Sequence, residues 1–385
     1  MPVLQTYHSV KNTFKWLAFV SCFTIAVTSW AQNVPKQSKF KQYFSASGNP
    51  YKVRLIPVPL INYSPETRWG FGLGTQVLFR THSTDSTGNL SNVGFVFVFT
   101  LNKQFIVNPN WDIFWRKGQI RMTGALLWQR YPDSFFGLGN ETVISDGERF
   151  SSDYLLARNR FTRQIAPHFQ LGAQYRFEHV YSMKTNAGGI FDTRNIPGEK
   201  GYTASGLGVA MIYDTRDHNL YPFKGWYMIL SHHTYSRFLG GNTDLTSLRL
   251  DLRKYFNPGK GSHVIALQAV AQVNSNLPPF KMMATFGGNE LMRGYFFGRN
   301  RDQHMYALTT EYRFPIFWRF IGVAFASAGN TAGPYSSPAF NNLKFAGGGG
   351  LRFTIDAKER INVRFDAGFG TDGSRGFYLA IGEAF

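Results

Sequence analysis

Apolar and polar residues alternate one by one along most of the chain after residue 51, as in a β-strand whose two faces meet different surroundings. The pattern is clearest at residues 169–181, 248–253 and 361–369, where one face is apolar and the other carries arginine, glutamine and carboxylates. Strands with lipid on one side and a polar lumen on the other show this alternation. Because an open edge in lipid leaves backbone groups unpaired, we expect the sheet to close into a barrel.

The alternation predicts an all-β fold, a single transmembrane antiparallel β-barrel over residues 52–385 with about sixteen strands. The predicted strands are 53–63, 69–80, 92–102, 105–116, 119–130, 154–163, 167–181, 202–213, 225–237, 246–257, 262–274, 304–314, 319–329, 344–356, 359–369 and 376–385. Pro57, Pro59 and Pro109 fall within the first and fourth strands, where an edge or a bulge must accommodate them. The long connections fall on one side, which we expect to be the outer surface: 131–153, 182–201, 275–303 and 330–343.

Composition supports a membrane barrel. The 385 residues include 37 Phe, 19 Tyr and 39 Gly, which is aromatic and glycine-rich for a soluble enzyme. The net charge of +18 would permit nucleic-acid binding, but the basic residues alternate with apolar ones instead of clustering, so we expect no nucleic-acid partner. The charge instead favours contact with acidic lipid headgroups or phosphates, or an arginine-lined lumen, and we expect outer-membrane lipids and lipopolysaccharide as partners.

The N-terminus predicts export. Lys11 and Lys15 precede an apolar run at 16–27, and Ser29-Trp30-Ala31 forms a cleavage site, so residues 1–31 are predicted to be a secretory signal peptide. An uncleaved anchor helix is the alternative, but the run falls short of the ~20 residues that span a bilayer. A short polar periplasmic segment, 32–51, would follow. Cys22 is the sole cysteine, so the mature chain would contain no disulfide or thiolate metal site.

Residues 287–297 form the most distinctive stretch of the chain. Two glycines, Gly287 and Gly288, lead into Leu-x-Arg-Gly-Tyr at 291–295, within a polar connection of about thirty residues. A guanidinium is most effective where it meets a carboxylate in a partly dry space. The stretch therefore predicts a long extracellular loop that folds inward and places Arg293 against an acidic partner in the lumen.

Four segments together resemble the bacterial surface antigen barrel superfamily, which includes the BamA- and TamA-type assembly proteins and the two-partner-secretion barrels. They are the arginine loop at 289–295, the turn at 214–225, the segment at 62–67 and the C-terminal stretch at 378–385. The resemblance covers roughly residues 52–385. It implies a sixteen-stranded barrel whose sixth outer loop folds into the lumen.

The resemblance also implies roles for particular residues. The loop clasp would comprise Arg293, Gly294, Tyr295, the acidic partner Glu311 and the position of a second acidic partner, Ser327. Serine stands there where the family has aspartate, so we expect a weakened clasp. The periplasmic turn would comprise Asp214, Arg216, Asp217, Pro222 and Gly225. The C-terminal insertion signal would comprise Phe377, Leu379, Ile381 and Phe385, on an ordinary last strand.

The implied function is outer-membrane protein assembly or secretion. Residues 32–51 are too short to capture a client, so a separate periplasmic partner would deliver a periplasmic or secreted protein, and the outer-membrane insertion machinery would fold the barrel itself. The alternative is a plugged or passive channel, or a structural surface protein without translocase activity. We expect no enzyme, cofactor or metal site, because His232 and His233 point to opposite faces of one strand and no Ser-His-carboxylate set stands out.

Overall fold

The computed structural model describes residues 54–64, 68–81, 91–101, 103–143, 147–259, 261–336, 342–357 and 360–385. The predicted signal peptide and polar segment, residues 1–31 and 32–51, lie outside these ranges and stay predictions. Part of the 62–67 segment lies outside them as well.

Sixteen strands form the wall of a closed antiparallel barrel, joined in chain order around the ring. They are β1 (Arg54–Ser64), β2 (Arg68–Phe79), β3 (Ser91–Thr100), β4 (Phe105–Trp115), β5 (Ile120–Phe135), β6 (Glu148–Ala166), β7 (Phe169–Lys184), β8 (Tyr202–Asp214), β9 (Gly225–Tyr235), β10 (Leu245–Phe256), β11 (Val264–Asn274), β14 (His304–Phe317), β15 (Phe320–Ala332), β16 (Lys344–Asp356), β17 (Ile361–Gly370) and β18 (Arg375–Ile381). The predicted all-β barrel and its sixteen wall strands are confirmed.

The remaining regular elements lie in the connections. The long connection at 275–303, between β11 and β14, contains the paired two-residue strands β12 (Ala284–Thr285) and β13 (Arg301–Asp302). The described helical turns are α1 (Ile190–Thr193) and two 3-10 turns, Arg116–Gly118 and Arg237–Leu239. No helix in the described ranges is long and apolar enough to cross a membrane. We call the side of the barrel with the connections 136–147, 185–201 and 275–303 the loop end, and the opposite side the turn end.

The wall is apolar outside and polar inside. Large exposed apolar residues of the outer face include Phe71, Phe99, Leu126, Leu207, Leu308 and Phe365, whereas buried residues of the inner face include Gln174, Glu178, Gln268, Thr309, Glu311 and Asp366. This arrangement inverts that of a soluble protein and matches a wall in contact with lipid.

The C-terminal residues depart from the prediction of an ordinary last strand. β18 ends at Ile381, and Gly382, at a φ of 88°, turns the chain away from the wall. Phe377 and Ile381 are exposed on the outer face, but Phe385 is only 6% exposed and packs with Tyr221 and Tyr255. The prediction of a strand through residue 385 is therefore wrong, because the left-handed glycine breaks the extended backbone and an interior cluster takes up the terminal ring.

Candidate functional site: an arginine clasp inside the barrel

The connection at 275–303 lies inside the barrel and touches the wall backbone directly. Met292 and Gly294 have positive φ values, 54° and 117°, which bend the chain sharply around Arg293. A Cβ on Gly294 would lie 2.8 Å from the nitrogen of Phe369, and a Cβ on Gly368 would lie 2.6 Å from the carbonyl of Arg293. Glycine on both sides thus permits the loop backbone to lie against β17.

The guanidinium of Arg293 lies between two carboxylates on different strands. Its Nη2 contacts Glu311 on β14, and its Nη1 lies 2.5 Å from Asp366 on β17. The guanidinium also lies over the ring of Phe325, 3.7 Å from the centroid. Arg293 and both carboxylates are at most 1% exposed, so each is stabilised by its partners and not by water.

The two carboxylates belong to a larger buried ion cluster on the wall. Arg313 binds Glu311 at 2.7 Å, and Arg352 binds Glu383 at 2.8 Å and also Asp366. The clasp cluster, as we name it, consists of Arg293, Glu311, Arg313, Arg352, Arg364, Asp366 and Glu383. Each carboxylate that meets the loop arginine therefore keeps an arginine of the wall as a second partner.

Ser327 does not take part in the clasp as expected. Its hydroxyl lies 3.0 Å from the hydroxyl of Thr309, and no ion or hydrogen bond joins it to Arg293 among the described residues. The second carboxylate comes instead from Asp366, two strands further along the wall. An acidic residue on another strand thus supplies the second contact, and the expected weakening of the clasp stays a prediction.

Loop residues on either side of Arg293 are fixed by the same part of the wall. The amide of Gly294 donates to the hydroxyl of Tyr378 at 3.0 Å. Tyr295 is fully buried, and its hydroxyl donates to the carbonyl of Phe345 at 3.1 Å. An apolar cluster completes the contact and contains Val270, Ala284, Phe286, Leu291, Met292, Tyr295, Met305, Ala307 and Ala346. The loop is thus held against β11 and β14–β18 by ion pairs, hydrogen bonds and apolar packing together.

The connection between β8 and β9 extends across the turn end of the barrel. Asp214 pairs with Arg216 at 2.7 Å, and Asp217 accepts hydrogen bonds from the amides of residues 223 and 224. Arg360, between β16 and β17, donates to Asp217 at 3.0 Å. Burial acts to raise the pKa of Asp217, but hydrogen bonds from Lys224, Arg360 and Phe223 outweigh it, so the pKa lies below its usual range. These bonds tie the turn to the far side of the ring.

The same turn contributes to an apolar cluster at the turn end. Tyr221 is 3% exposed and packs with Tyr255 and the C-terminal Phe385, while Arg313 of the clasp cluster lies over the ring of Tyr221. Pro222 is also buried, and Gly225 begins β9 at a φ of 114°. The turn end is therefore filled by residues of the turn and of the C-terminus.

Sequence reasoning missed Asp366, Arg352 and Glu383. All three lie on polar faces of alternating strands or just beyond one, and the alternation at 361–369 already placed Asp366 on the polar face. Alternation assigns a face but not a partner across the lumen, so it could not select this carboxylate from the other inward polar residues. No cluster of three or more metal-ligating side chains occurs in the described part of the chain.

Comparison with known proteins identifies the family. The model of the Omp85 superfamily domain matches residues 63–385. The chain belongs to the Omp85 superfamily. No curated protein sequence matches it. The prediction of a barrel related to the BamA-type and two-partner-secretion proteins is thereby confirmed, and with it a location in the bacterial outer membrane.

Solved structures of this Omp85 superfamily share the fold at low identity. BamA from Haemophilus ducreyi lacking POTRA domains 1–3 has a TM-score of 0.57 at 10% identity, over 86% of this chain and 70% of that chain. CdiB from Acinetobacter baumannii has a TM-score of 0.55 at 12% identity, over 86% of this chain and 65% of that chain. CdiB from Escherichia coli has a TM-score of 0.51 at 13% identity, over 87% of this chain and 68% of that chain. At these identities the similarity establishes the architecture of the barrel alone.

The loop also contains a lysine whose protonation state affects the stability of the packed loop. Lys281 lies with its ammonium over the ring of Phe150, 5.2 Å from the centroid, and burial lowers its pKa to about 8. The unfolded chain binds this proton up to about pH 10.4, so the packed loop should become more stable as pH rises from about 8 to about 10.4. We expect Lys281→Met to protect the loop from protease below pH 8 and to flatten this pH dependence.

Limited proteolysis of the detergent-extracted protein at pH 7 to 10, followed by mass spectrometry of cuts within 275–303, measures the effect. Lys200→Met, an exposed lysine in the adjacent connection, is the matched control. An unchanged pH slope in Lys281→Met would show that this ammonium does not limit the packing of the loop.

Proposed function

We propose that this barrel inserts or translocates a protein substrate at the outer membrane, in assembly or secretion, with a separate periplasmic partner that delivers the client. The substrate would pass through or along the seam between β1 and β18. The signal peptide at 1–31 would be cleaved on export, and the protein would act without enzymatic chemistry, metal or cofactor. Lipids and lipopolysaccharide would surround the wall, and the outer-membrane insertion machinery would fold it, reading the C-terminal segment with Phe377, Leu379 and Ile381.

The observation that supports this proposal is the sparse pairing of the seam. Among the described residues, β1 and β18 are matched at Tyr63 and Leu379 alone, whereas β17 and β18 are matched without interruption from Val363–Ile381 to Phe369–Arg375. β18 has 7 residues, and its chain turns inward directly after Ile381. Few backbone hydrogen bonds need to break for this seam to part.

β1 itself lacks two backbone donors. Pro57 and Pro59 both lack an amide donor, and because backbone N–H groups alternate between the two neighbours of a strand, the same flank loses both. Proline occurs in sheets at edges and bulges for this reason. The first strand therefore has two fewer amide donors than a strand of the same length without proline.

A second candidate is a plugged or passive barrel. It is favoured by the clasped loop, which lies in the lumen, and by Tyr221 and Phe385, which fill the turn end. Both candidates require the same clasp. They differ in whether the seam must part for the protein to function.

Crosslinking the seam separates the two. In a strain that depends on this protein, the double variant Tyr63→Cys with Leu379→Cys should lose function under oxidising conditions and regain it on reduction. The two Cα positions are direct cross-strand partners, the geometry a disulfide requires. The measured quantity is the abundance of outer-membrane and secreted proteins, by mass spectrometry of the cell envelope and medium.

The matched control crosslinks an interior pair of the wall, Ala269→Cys with Leu308→Cys, partners on β11 and β14. It should leave the proteome unchanged in both redox states. If the locked seam also leaves every outer-membrane and secreted protein at its normal level, the translocation proposal fails and the plugged barrel remains.

A further inference from the structure

The clasped loop leaves the opposite half of the inner wall uncovered, where a large cavity remains. Its volume is about 780 Å³, and it lies between residues 282–291 of the loop and the inner faces of β6, β7, β9 and β10. Five basic side chains line it: Arg158, Arg160, Arg176, Arg249 and Lys281. Four carboxylates line it as well, those of Asp133, Glu178, Asp251 and Glu290. An anion would therefore bind where basic side chains lack a carboxylate partner.

The inward-facing arginines of β5–β10 and of the turn between β8 and β9 fall into two groups. Four of them have a carboxylate within 3 Å: Arg121 with Asp112, Arg176 with Glu178, Arg216 with Asp214 and Arg253 with Asp251. Three have no ion pair to any described residue: Arg158, Arg160 and Arg249. All members of the second group line the cavity, so the uncompensated charge is concentrated there.

The unpaired arginines are held in position by neutral groups. Arg160 donates to Gln174 at 3.0 Å and to Ser231 at 3.2 Å, and Arg249 donates to Gln272 at 3.1 Å. Neutral acceptors fix the direction of a guanidinium and leave its charge available. The two side chains are thereby oriented without being neutralised.

The position of Arg158 on the wall is electrostatically unfavourable. Its direct cross-strand partner on β7 is Arg176, so two like charges face each other on one side of the sheet. Glu178 pairs with Arg176 and leaves Arg158 without a partner in the described chain. Glu290, at the tip of the loop, lines the same cavity but forms no ion pair within it. An anion in the cavity would relieve this repulsion.

We propose that Arg158, Arg160 and Arg249 form a lumenal binding site for a phosphoryl oxyanion. A phosphate group carries close to two negative charges at pH 7 and accepts hydrogen bonds on three oxygens, which suits several guanidinium groups that lack a carboxylate. The site lies away from the clasp cluster and does not depend on protein translocation. The phosphate could belong to a free anion or to a lipid headgroup.

Isothermal titration of the detergent-extracted full chain tests the site at constant ionic strength. Inorganic pyrophosphate represents the free anion, and short-chain phosphatidic acid, which is monomeric, represents a headgroup. We expect saturable binding of one or both, weakened about tenfold or more by Arg158→Gln, since a charge-assisted hydrogen bond contributes about 1.5–3 kcal/mol. Glu290→Gln should strengthen binding, because it removes a competing carboxylate from the cavity.

Arg237→Gln is the matched control, since it removes the same charge from an exposed turn at the loop end. It should leave the affinity unchanged. Arg158 forms no hydrogen bond or ion pair in the described structure, so its replacement removes no polar contact of this kind from the fold. Absence of saturable binding of both probes at millimolar concentration, or equal weakening by Arg237→Gln and Arg158→Gln, would overturn the proposal. Saturable binding of only one probe supports the site and identifies the source of the phosphate.

Discussion

Replacing Glu311 with glutamine should destabilise the barrel interior by about 3–5 kcal/mol, the effect of removing one partner from a buried ion pair. The carboxylate contacts both Arg293 of the loop and Arg313 of the wall. Without it, the clasp cluster would contain four arginines and two carboxylates. The expected result is a lower temperature for the loss of heat-resistant migration in SDS gels.

Arg293→Gln should act differently, although it removes the other half of the same contact. Glu311 keeps Arg313 and Asp366 keeps Arg352, so the wall retains three arginines and three carboxylates. We therefore expect the barrel to stay folded while the loop detaches, seen as faster tryptic cleavage within 275–303 at an unchanged gel transition. Equal loss of barrel stability in Arg293→Gln and Glu311→Gln would contradict this division of roles.

Ser327→Ala provides the control for both variants. Its hydroxyl contacts Thr309 and no charged group of the clasp, so neither the gel transition nor the cleavage rate should change appreciably. A large effect would show that Ser327 takes part in the clasp, as the family resemblance implied.

Gly368→Ala should also release the loop, through backbone contact and not through charge. The added Cβ would lie 2.6 Å from the carbonyl carbon and oxygen of Arg293 and 2.8 Å from the nitrogen of Gly294. All three are backbone atoms that cannot rotate aside, and overpacking of this kind costs about 1–3 kcal/mol. We expect accelerated cleavage within 275–303, similar to Arg293→Gln, with every charge of the clasp cluster still present.

Gly347→Ala on the adjacent strand β16 is the matched control. A Cβ there would have the carbonyl oxygen of Phe325 as its nearest atom, at 3.6 Å, which is an ordinary contact. It should leave the cleavage rate unchanged. If Gly368→Ala behaves like Gly347→Ala, the loop does not need direct backbone contact with β17.

The strands of the wall could be predicted from local sequence, because the alternation of residues within each strand reflects the two environments that the strand separates. A residue in lipid must be apolar and its neighbour in the lumen can be charged, so the period of two is visible without knowledge of the partner strand. The loop was predictable for a related reason, since glycines around one arginine indicate a bent backbone and a buried charge. These features depend on residues that are neighbours in the chain.

Contacts across the lumen were not predictable in this way. Ser327 and Asp366 both lie on inward faces, and only the closed wall shows that Asp366 on β17 reaches the Nη1 atom of Arg293. The inward turn of Phe385 depends similarly on Tyr221 from a connection on the opposite side of the ring.

The sequence by itself therefore determined the barrel, its sixteen wall strands and the inward-folded arginine loop. The tertiary structure alone decided which carboxylates bind Arg293, how the turn end is filled and which arginines remain without a partner. The physical reason is that alternation specifies the side of the wall on which a residue lies. Pairing across the lumen depends on strand register and ring closure, which bring together residues up to 73 positions apart in the clasp.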